Sequence, residues 1–509
     1  MPSSQTTSDR DKKTVVLSNR PTKKPPLYYQ VLLGLIKPLY RLQVWHRSHN
    51  NANYQQEVAQ RFGKAYPARP SAQDAHGAKV IWCHAVSLGE TNTIAPLLDA
   101  LLASGYHIWL TNTTQTGHAR GAKRFADDIA EGRMSHSYVP VDTIEVIDAF
   151  LHQVRPIAAL FVETELWANI LATLSERHIP SILVNGRMSA SSFKSYQKIA
   201  AVSSSMMQNL TVIIAQDDES AKRFRKLGAL SVQIRVAGSL KWVINTPSVS
   251  NQEPQNLSKD SMRERYHIDT DRPVWVAAST HNGEEATVLS LQQRITAVPT
   301  LKNTLLIIVP RHPERFDEVA DLIKKSGLQM ARRSHEETID RHTQVYLADT
   351  MGELMQWYSV ANVALVGGSI ADIGGHNPVE PASVATPIIM GSFTQSCQGV
   401  VDKLASVGAL YQPNNPYYQS IKEDELSNDS NKTSTINAQS IAKCGSLPAK
   451  IEDNEQIYQH LQHWLENPYY AKISGEAGAQ LTLQQQTVLN RQLGIIEAVI
   501  EHASRRDPL

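Results

Sequence analysis

The sequence predicts an α/β protein made of two doubly wound, Rossmann-like halves. From Lys79 onward, short β-branched or apolar runs alternate with longer helical patterns. That cadence gives a parallel sheet covered on both faces. The runs are nearly continuous in apolar residues, as strands buried on both faces require. The alternation lapses around 238–272 into the polar, proline-containing "TPSVSNQEPQNLSKD" and then resumes, so a connection separates two wound halves. A chain of 509 residues also exceeds what one hydrophobic core usually holds.

Composition narrows the functional classes. Lys plus Arg is 50 against 49 Asp plus Glu, so no overall field argues for nucleic acid. Three cysteines, Cys83, Cys397 and Cys444, without metal-type spacing, fit a reducing compartment and not a disulfide scaffold. Residues 1–26 are polar and basic, with no apolar core or cleavage site, and read as a disordered tail. Next comes "LYYQVLLGLIKPLYRLQVWHR", 27–47, apolar at first but carrying Lys37, Pro38 and Arg41. A full crossing needs about 20 nearly uncharged residues, so an interfacial helix with Tyr and Trp at headgroup depth fits better. An amphipathic helix packed on the protein itself is the alternative.

In the first half, "KVIWC", "HIWLTN", "SYVP", "IAALFVE", "SILVN", "VIIAQ" and "IRVAG" read as strands, and 90–104, 117–131, 143–154, 166–178, 189–210 and 217–227 as helices. The second half supplies "VWVAAST", "TLLIIVP", "TQVYLA", "NVALVGG" and "TPIIM". The domains expected are an amino-terminal one over 48–240, a linker over 241–272 and a carboxy-terminal one over 273–470. The Asn/Ser-rich stretch 414–455 reads as a mobile insertion, and 471–509 as helix packing back toward the amino-terminal domain. Two such halves put a cleft between the carboxyl ends of two sheets.

Unusual polar residues follow those strand ends. They include Glu90 in "HAVSLGE", Glu163 and Glu165 in "ETELW", Arg187 in "NGR" and Lys241 in "GSLK". In the second half they are "STHNGEE", Arg311 after Pro310, "DTMGEL" and "GGHNPVE". Glu90 reads either as a first-turn carboxylate facing a helix dipole or as a general base. If "FVETE" stays extended, one of Glu163 and Glu165 faces the ligand while the other caps a helix starting at Leu166. Arg311 is suited to a phosphate, the plain reading being an ion pair with Glu314 or Glu318. "DTMGEL" offers Asp349 or Thr350 as a cap and leaves the amides of Met351, Gly352 and Glu353 open to an anion. In "HNPVE", Asn377 is the cap, Pro378 the first helical residue and Val379 the second, with Glu380 placed to reach back to the cap or to bind ribose hydroxyls. No P-loop occurs. "DTD", 269–271, precedes a strand and reads as a turn. His84, His281, His312 and His376 come from four strand ends without paired spacing, so a metal site is disfavoured.

Taken in order, "HAVSLGE", "TELWANI", "NGRMSA", "GSLKW", "STHNGEE", "VPRHPERF", "DTMGELMQWY" and "GGHNPVEPA" resemble the 3-deoxy-D-manno-octulosonic acid (Kdo) transferases of lipopolysaccharide synthesis, over about 29–391. The resemblance implies the GT-B architecture, with an acceptor-binding first domain and a CMP-Kdo-binding second. It also implies transfer of Kdo from CMP-Kdo to the lipid A precursor at the cytoplasmic face of the inner membrane, with no cofactor, metal or nucleic acid. Glu90 is then the general base, and Glu163 and Lys241 stabilise the transition state. Pro310, Arg311, Met351, Gly352, Glu353, Asn377, Pro378, Val379 and Glu380 hold CMP. Two motifs depart from the usual pattern: Ala168 stands where proline is usual and Gly186 where alanine is. The alternatives are another nucleotide-sugar enzyme, such as an epimerase or a transferase of a different acid sugar, and a non-catalytic membrane-associated scaffold.

Overall fold

The computed structural model describes residues 21–48, 54–71, 77–243, 259–418 and 449–505. The first 20 residues of the expected tail, 244–258 of the linker and 419–448 of the expected insertion lie outside them. The chain divides into two compact units, one of 1–243 with 487–509 and one of 244–486.

The first unit holds a seven-stranded parallel sheet of β1 (Val80–His84), β2 (His107–Asn112), β3 (Met134–Tyr138), β4 (Ala158–Val162), β5 (Ser181–Gly186), β6 (Val212–Ala215) and β7 (Ile234–Val236). The order is β3-β2-β1-β4-β5-β6-β7. Winding reverses between β1 and β4, and a crevice forms outside the carboxyl ends at such a switch. One face packs Trp82, Trp109, Phe150 and Phe161; the other packs Ile81, Leu97 and Leu110 with Val488, Ile496 and Val499 of the last helix, Thr487–Ser504.

The second unit repeats the plan with β8 (Val274–Thr280), β9 (Leu305–Pro310), β10 (Met330–Arg332), β11 (Val345–Leu347), β12 (Val363–Val366), β13 (Ile388–Ile389) and β14 (Leu410–Tyr411). The order is β10-β11-β9-β8-β12-β13-β14, reversing between β8 and β12. β10 and β14, three and two residues long, are not among the predicted strands, because such short strands show no period of their own. Two predicted helices are each divided: 189–210 is Ala190–Lys198 and Ala200–Asn209, broken at Ile199, and 117–131 is Gln115–Arg124 and Ala126–Ala130.

The amino-terminal helix, Leu27–Ser48, runs through Pro38. It touches its own unit with one side: Tyr29 donates its hydroxyl to Asp142 at 2.7 Å, and Val44 is buried. Leu27, Val31, Leu35, Leu39 and Leu42 stand exposed on the remainder, each 57% accessible or more. No helix among the described residues is long and apolar enough to cross a membrane.

Candidate active site

At the switch of the first unit, Ser87 caps the helix Leu88–Ala103 and accepts from the Glu90 amide. Glu90 accepts in turn from the Val86 amide at 2.7 Å through one carboxylate oxygen, so the hydrogen bond at the helix start occupies one of its two oxygens. Burial pushes its carboxyl up to about 7; the Val86 hydrogen bond and Lys241 oppose this, and Glu163 and Glu165 add to it. A carboxylate that titrates near neutrality is suited to taking and releasing a proton.

β4 ends directly before Glu163, whose φ of 58° turns the chain sharply. The "FVETE" segment is therefore not extended, so the condition for one of Glu163 and Glu165 to face a ligand while the other caps a helix at Leu166 is not met. Glu165 caps nothing: the helix starts at Ala168, and Asp142 accepts from the amides of Asn169 at 3.1 Å and Ile170 at 2.8 Å. Glu163 instead pairs with Lys241 at 3.5 Å. Lys241 lies on the short 3-10 turn Leu240–Trp242, held by Asn185, whose Oδ1 accepts from the Leu240 amide at 2.8 Å. Buried Gln492 of the last helix donates to the Gly238 carbonyl at 3.0 Å and accepts from the Asn185 amide at 3.2 Å. Glu90, Glu163 and Lys241 thus come together from three strand ends, as the motifs predict.

In the second unit, β8 carries a bulge at Ser279, φ 56°, just before His281. A Cβ at Gly367 would lie 2.5 Å from the Ser279 carbonyl oxygen, so the glycine after β12 is required by the bulge. The glycine-rich stretch that follows wraps around Glu284. That fully buried carboxylate accepts from the amides of Gly368 at 2.8 Å, Ser369 at 3.1 Å, Ile370 at 2.9 Å, Ala371 at 3.1 Å and His281 at 2.9 Å. Glu285 beside it takes a bidentate pair from Arg315.

Arg311 follows β9 and is exposed. The expected pair with Glu314 or Glu318 is not formed: Arg315 takes Glu318, His312 faces Glu314, and the Arg311 guanidinium has no hydrogen bond or ion pair among the described residues. Its charge acts instead on His376 and Glu380. The helix start lies one residue later than predicted: Pro378, with αR dihedrals, holds the N-cap position, the helix runs Val379–Ser383, and Asn377 sits before the cap, where its Oδ1 accepts from the Val379 amide at 3.1 Å. The Glu380 carboxylate does not reach back to the cap among the described hydrogen bonds. Burial raises its pKa, opposed by Arg311. Val379 is fully buried, so it offers only backbone.

The "DTMGEL" caps differ from expectation. Asp349 is buried against Arg332 and Ser334, and no side chain caps the helix Leu354–Val360. Glu353 pairs with Arg333 at 2.9 Å and with Thr350. Gly352 has φ 89°, Met351 is exposed, and no described hydrogen bond or ion pair joins these three residues to Arg311 or Glu380.

Of the histidines, His84 is buried against Thr111 at 3.0 Å, whereas His281, His312 and His376 cluster at the second switch. Their gathering was invisible in the spacing because three separate strand ends supply them. Among the described residues no group of three or more His, Cys, Asp or Glu side chains is arranged to hold a metal ion.

The family model described as 3-Deoxy-D-manno-octulosonic-acid transferase (kdotransferase) matches residues 56–244. The 3-deoxy-D-manno-octulosonic acid transferase of Haemophilus influenzae is 37% identical over 390 residues, 76% of this chain and 87% of that protein. The enzyme of the same name from Bordetella pertussis is 34% identical over 76% of this chain and 87% of its own. Among solved structures, the C-terminal CMP-Kdo binding domain of WaaA from Acinetobacter baumannii is 29% identical, covers 45% of this chain and 95% of that one, and superposes with a TM-score of 0.33.

Proposed function

The chain belongs to the 3-deoxy-D-manno-octulosonic acid transferase family and is a glycosyltransferase, and from that premise we propose that it moves Kdo from CMP-Kdo to the lipid A precursor with Glu90 as general base. The observation that carries the reading is Glu90 itself, half-buried at the switch of its sheet, titrating at about 7 and neighboured by the Glu163–Lys241 pair.

The chemistry follows from the groups present. Ionised Glu90 takes the proton of the acceptor hydroxyl as its oxygen bonds to the anomeric carbon, and the bond from that carbon to the phosphate oxygen breaks with its electron pair. Lys241 balances charge near a sugar that already carries a carboxylate, and Glu163 holds the ammonium in place. In the second unit, Pro310–Arg311, Met351–Glu353 and Asn377–Glu380 are proposed to hold cytidylate, with the Arg311 guanidinium, unpaired among the described residues, on its phosphate. This scheme, in the GT-B manner, asks for no resident metal, and transfer is expected to persist in excess EDTA.

The exposed leucine row of Leu27–Ser48, with Arg41 and Lys37 beside it, supports seating on the anionic cytoplasmic leaflet of the inner membrane. The deciding experiment is incubation of the full chain with CMP-Kdo and lipid A precursor, followed by mass spectrometry of the lipid. A mass increase of whole Kdo units, formed far more slowly with Glu90→Gln, is the expected result; unmodified lipid from the wild type rejects the reading.

A further inference from the structure

We infer that His281 and His376 form a proton-sharing pair that opens to grip the phosphate of the bound nucleotide, taking up one proton as it does so. The inference rests on the cytidylate reading of the second unit.

The two Nε2 atoms lie 2.7 Å apart and the rings stack at 8°, with centroids 5.0 Å apart. At that distance one nitrogen must donate and the other accept, because two N–H groups cannot face each other across a hydrogen-bond length. One proton therefore lies between the two Nε2 atoms, and because burial disfavours charge on both rings the pair is two neutral imidazoles of opposite tautomer. It stands where winding reverses between β8 and β12, the place where wound folds receive ligands.

The surroundings explain both the neutrality and what would end it. Arg311 and His312, from the segment after β9, face both rings, and Glu284 and Glu285 face His281 from the helix Glu284–Ala297. The carboxylates are already committed, Glu284 to five amides and Glu285 to Arg315. Beside the Arg311 cation, a further positive charge has no uncommitted carboxylate facing it among the described residues, and burial with these neighbours holds His376 down to about 4. An arriving phosphate supplies the missing negative charge. One solvent proton then bonds to the accepting Nε2, the N–H···N bond opens, and two Nε2–H groups donate to phosphate oxygens. No other bond changes.

Calorimetric titration of the full chain with CMP tests this, at about pH 8, where the free phosphate is already dianionic, in two buffers of different ionisation enthalpy. The expected result is uptake of about one proton per CMP bound, and none with cytidine, which lacks the phosphate. His376→Gln and His281→Gln are expected to bind CMP about tenfold more weakly, the scale of one hydrogen bond to a charged group, with uptake abolished. CMP binding without uptake in the wild type overturns the inference alone, and so does equal uptake with cytidine or uptake unchanged in both variants. No CMP binding by the wild type overturns the nucleotide reading, and the inference falls with it. The wild-type comparison decides the matter even if a variant fails to fold.

Discussion

Glu90 makes two opposed predictions at the scale of a single side chain. Its carboxyl titrates near 4.5 when the chain is unfolded and at about 7 in the fold, so folding disfavours the ionised form. Stability is undiminished below pH 4.5 and is lost as pH rises through 7. Glu90→Gln, neutral throughout, is expected to raise the stability measured by urea unfolding above neutral pH by on the order of 1 kcal/mol, allowing for partial exposure. The same change is expected to cut transfer by about 10²- to 10⁴-fold, the usual worth of a general base. In the wild type, kcat/KM is expected to fall on the acid side with an apparent pKa near 7. A variant both less stable and fully active contradicts both roles. Arg311→Ala is expected to weaken CMP binding by about 1.5–3 kcal/mol by calorimetry, with the fold unchanged. Glu90, Glu163, Lys241 and Arg311 could be picked out in the sequence because a wound sheet puts the residues after its strands on one edge. Glu284 could not. Its partners are five backbone amides, and backbone leaves no trace in residue identity.

At the scale of elements, the helix Val379–Ser383 owes its position to a helix nearly a hundred residues later. A Cβ on Gly475 of the helix Pro468–Gln485 would sit 1.9 Å from the Ala385 carbonyl oxygen, and one on Gly478 would lie 3.2 Å from the Ala409 Cβ and in ordinary contact with Ala382. Gly475→Ala must therefore displace that helix or its neighbour, at a cost of about 1–3 kcal/mol. It should also weaken CMP binding through Asn377–Glu380; thermal unfolding and calorimetry on one sample check both. The amino-terminal helix offers a test of its own. Exchanging Leu35, Leu39 and Leu42 for Gln leaves the Tyr29 and Val44 contacts alone, and is expected to lower co-sedimentation with anionic vesicles more than about tenfold, at roughly 1 kcal/mol of apolar burial per leucine. The long strands and this helix were legible because their periods run over many residues. The break at Ile199 was not, since "QKIAAV" carries neither glycine nor proline.

For the whole molecule, chain order and compact units do not coincide. The first unit is completed by 487–509, which sends Val488, Ile496, Val499 and Ile500 into its core and Gln492 under the turn that bears Lys241. Residues 244–486 form a continuous unit and are expected to fold alone and bind CMP, whereas 1–243 expressed without the last helix is expected to aggregate through its uncovered sheet face. Soluble, cooperatively unfolding 1–243 would show that the last helix is dispensable. The sequence announces the return of the chain only as more helix. Between Gln486 and Thr487 there is no punctuation, and the division is made by which core takes up the apolar residues on either side.

Glu284 amounts to a ligand the protein carries within itself. Four consecutive amides, 368–371, form the kind of concavity in which other wound sheets seat a nucleotide's pyrophosphate, and here a resident carboxylate already fills it. A sugar donor with two phosphates would bring its extra charge to a saturated nest with an anion of its own sign at the centre. A donor joined to its base through a single phosphate makes no such demand.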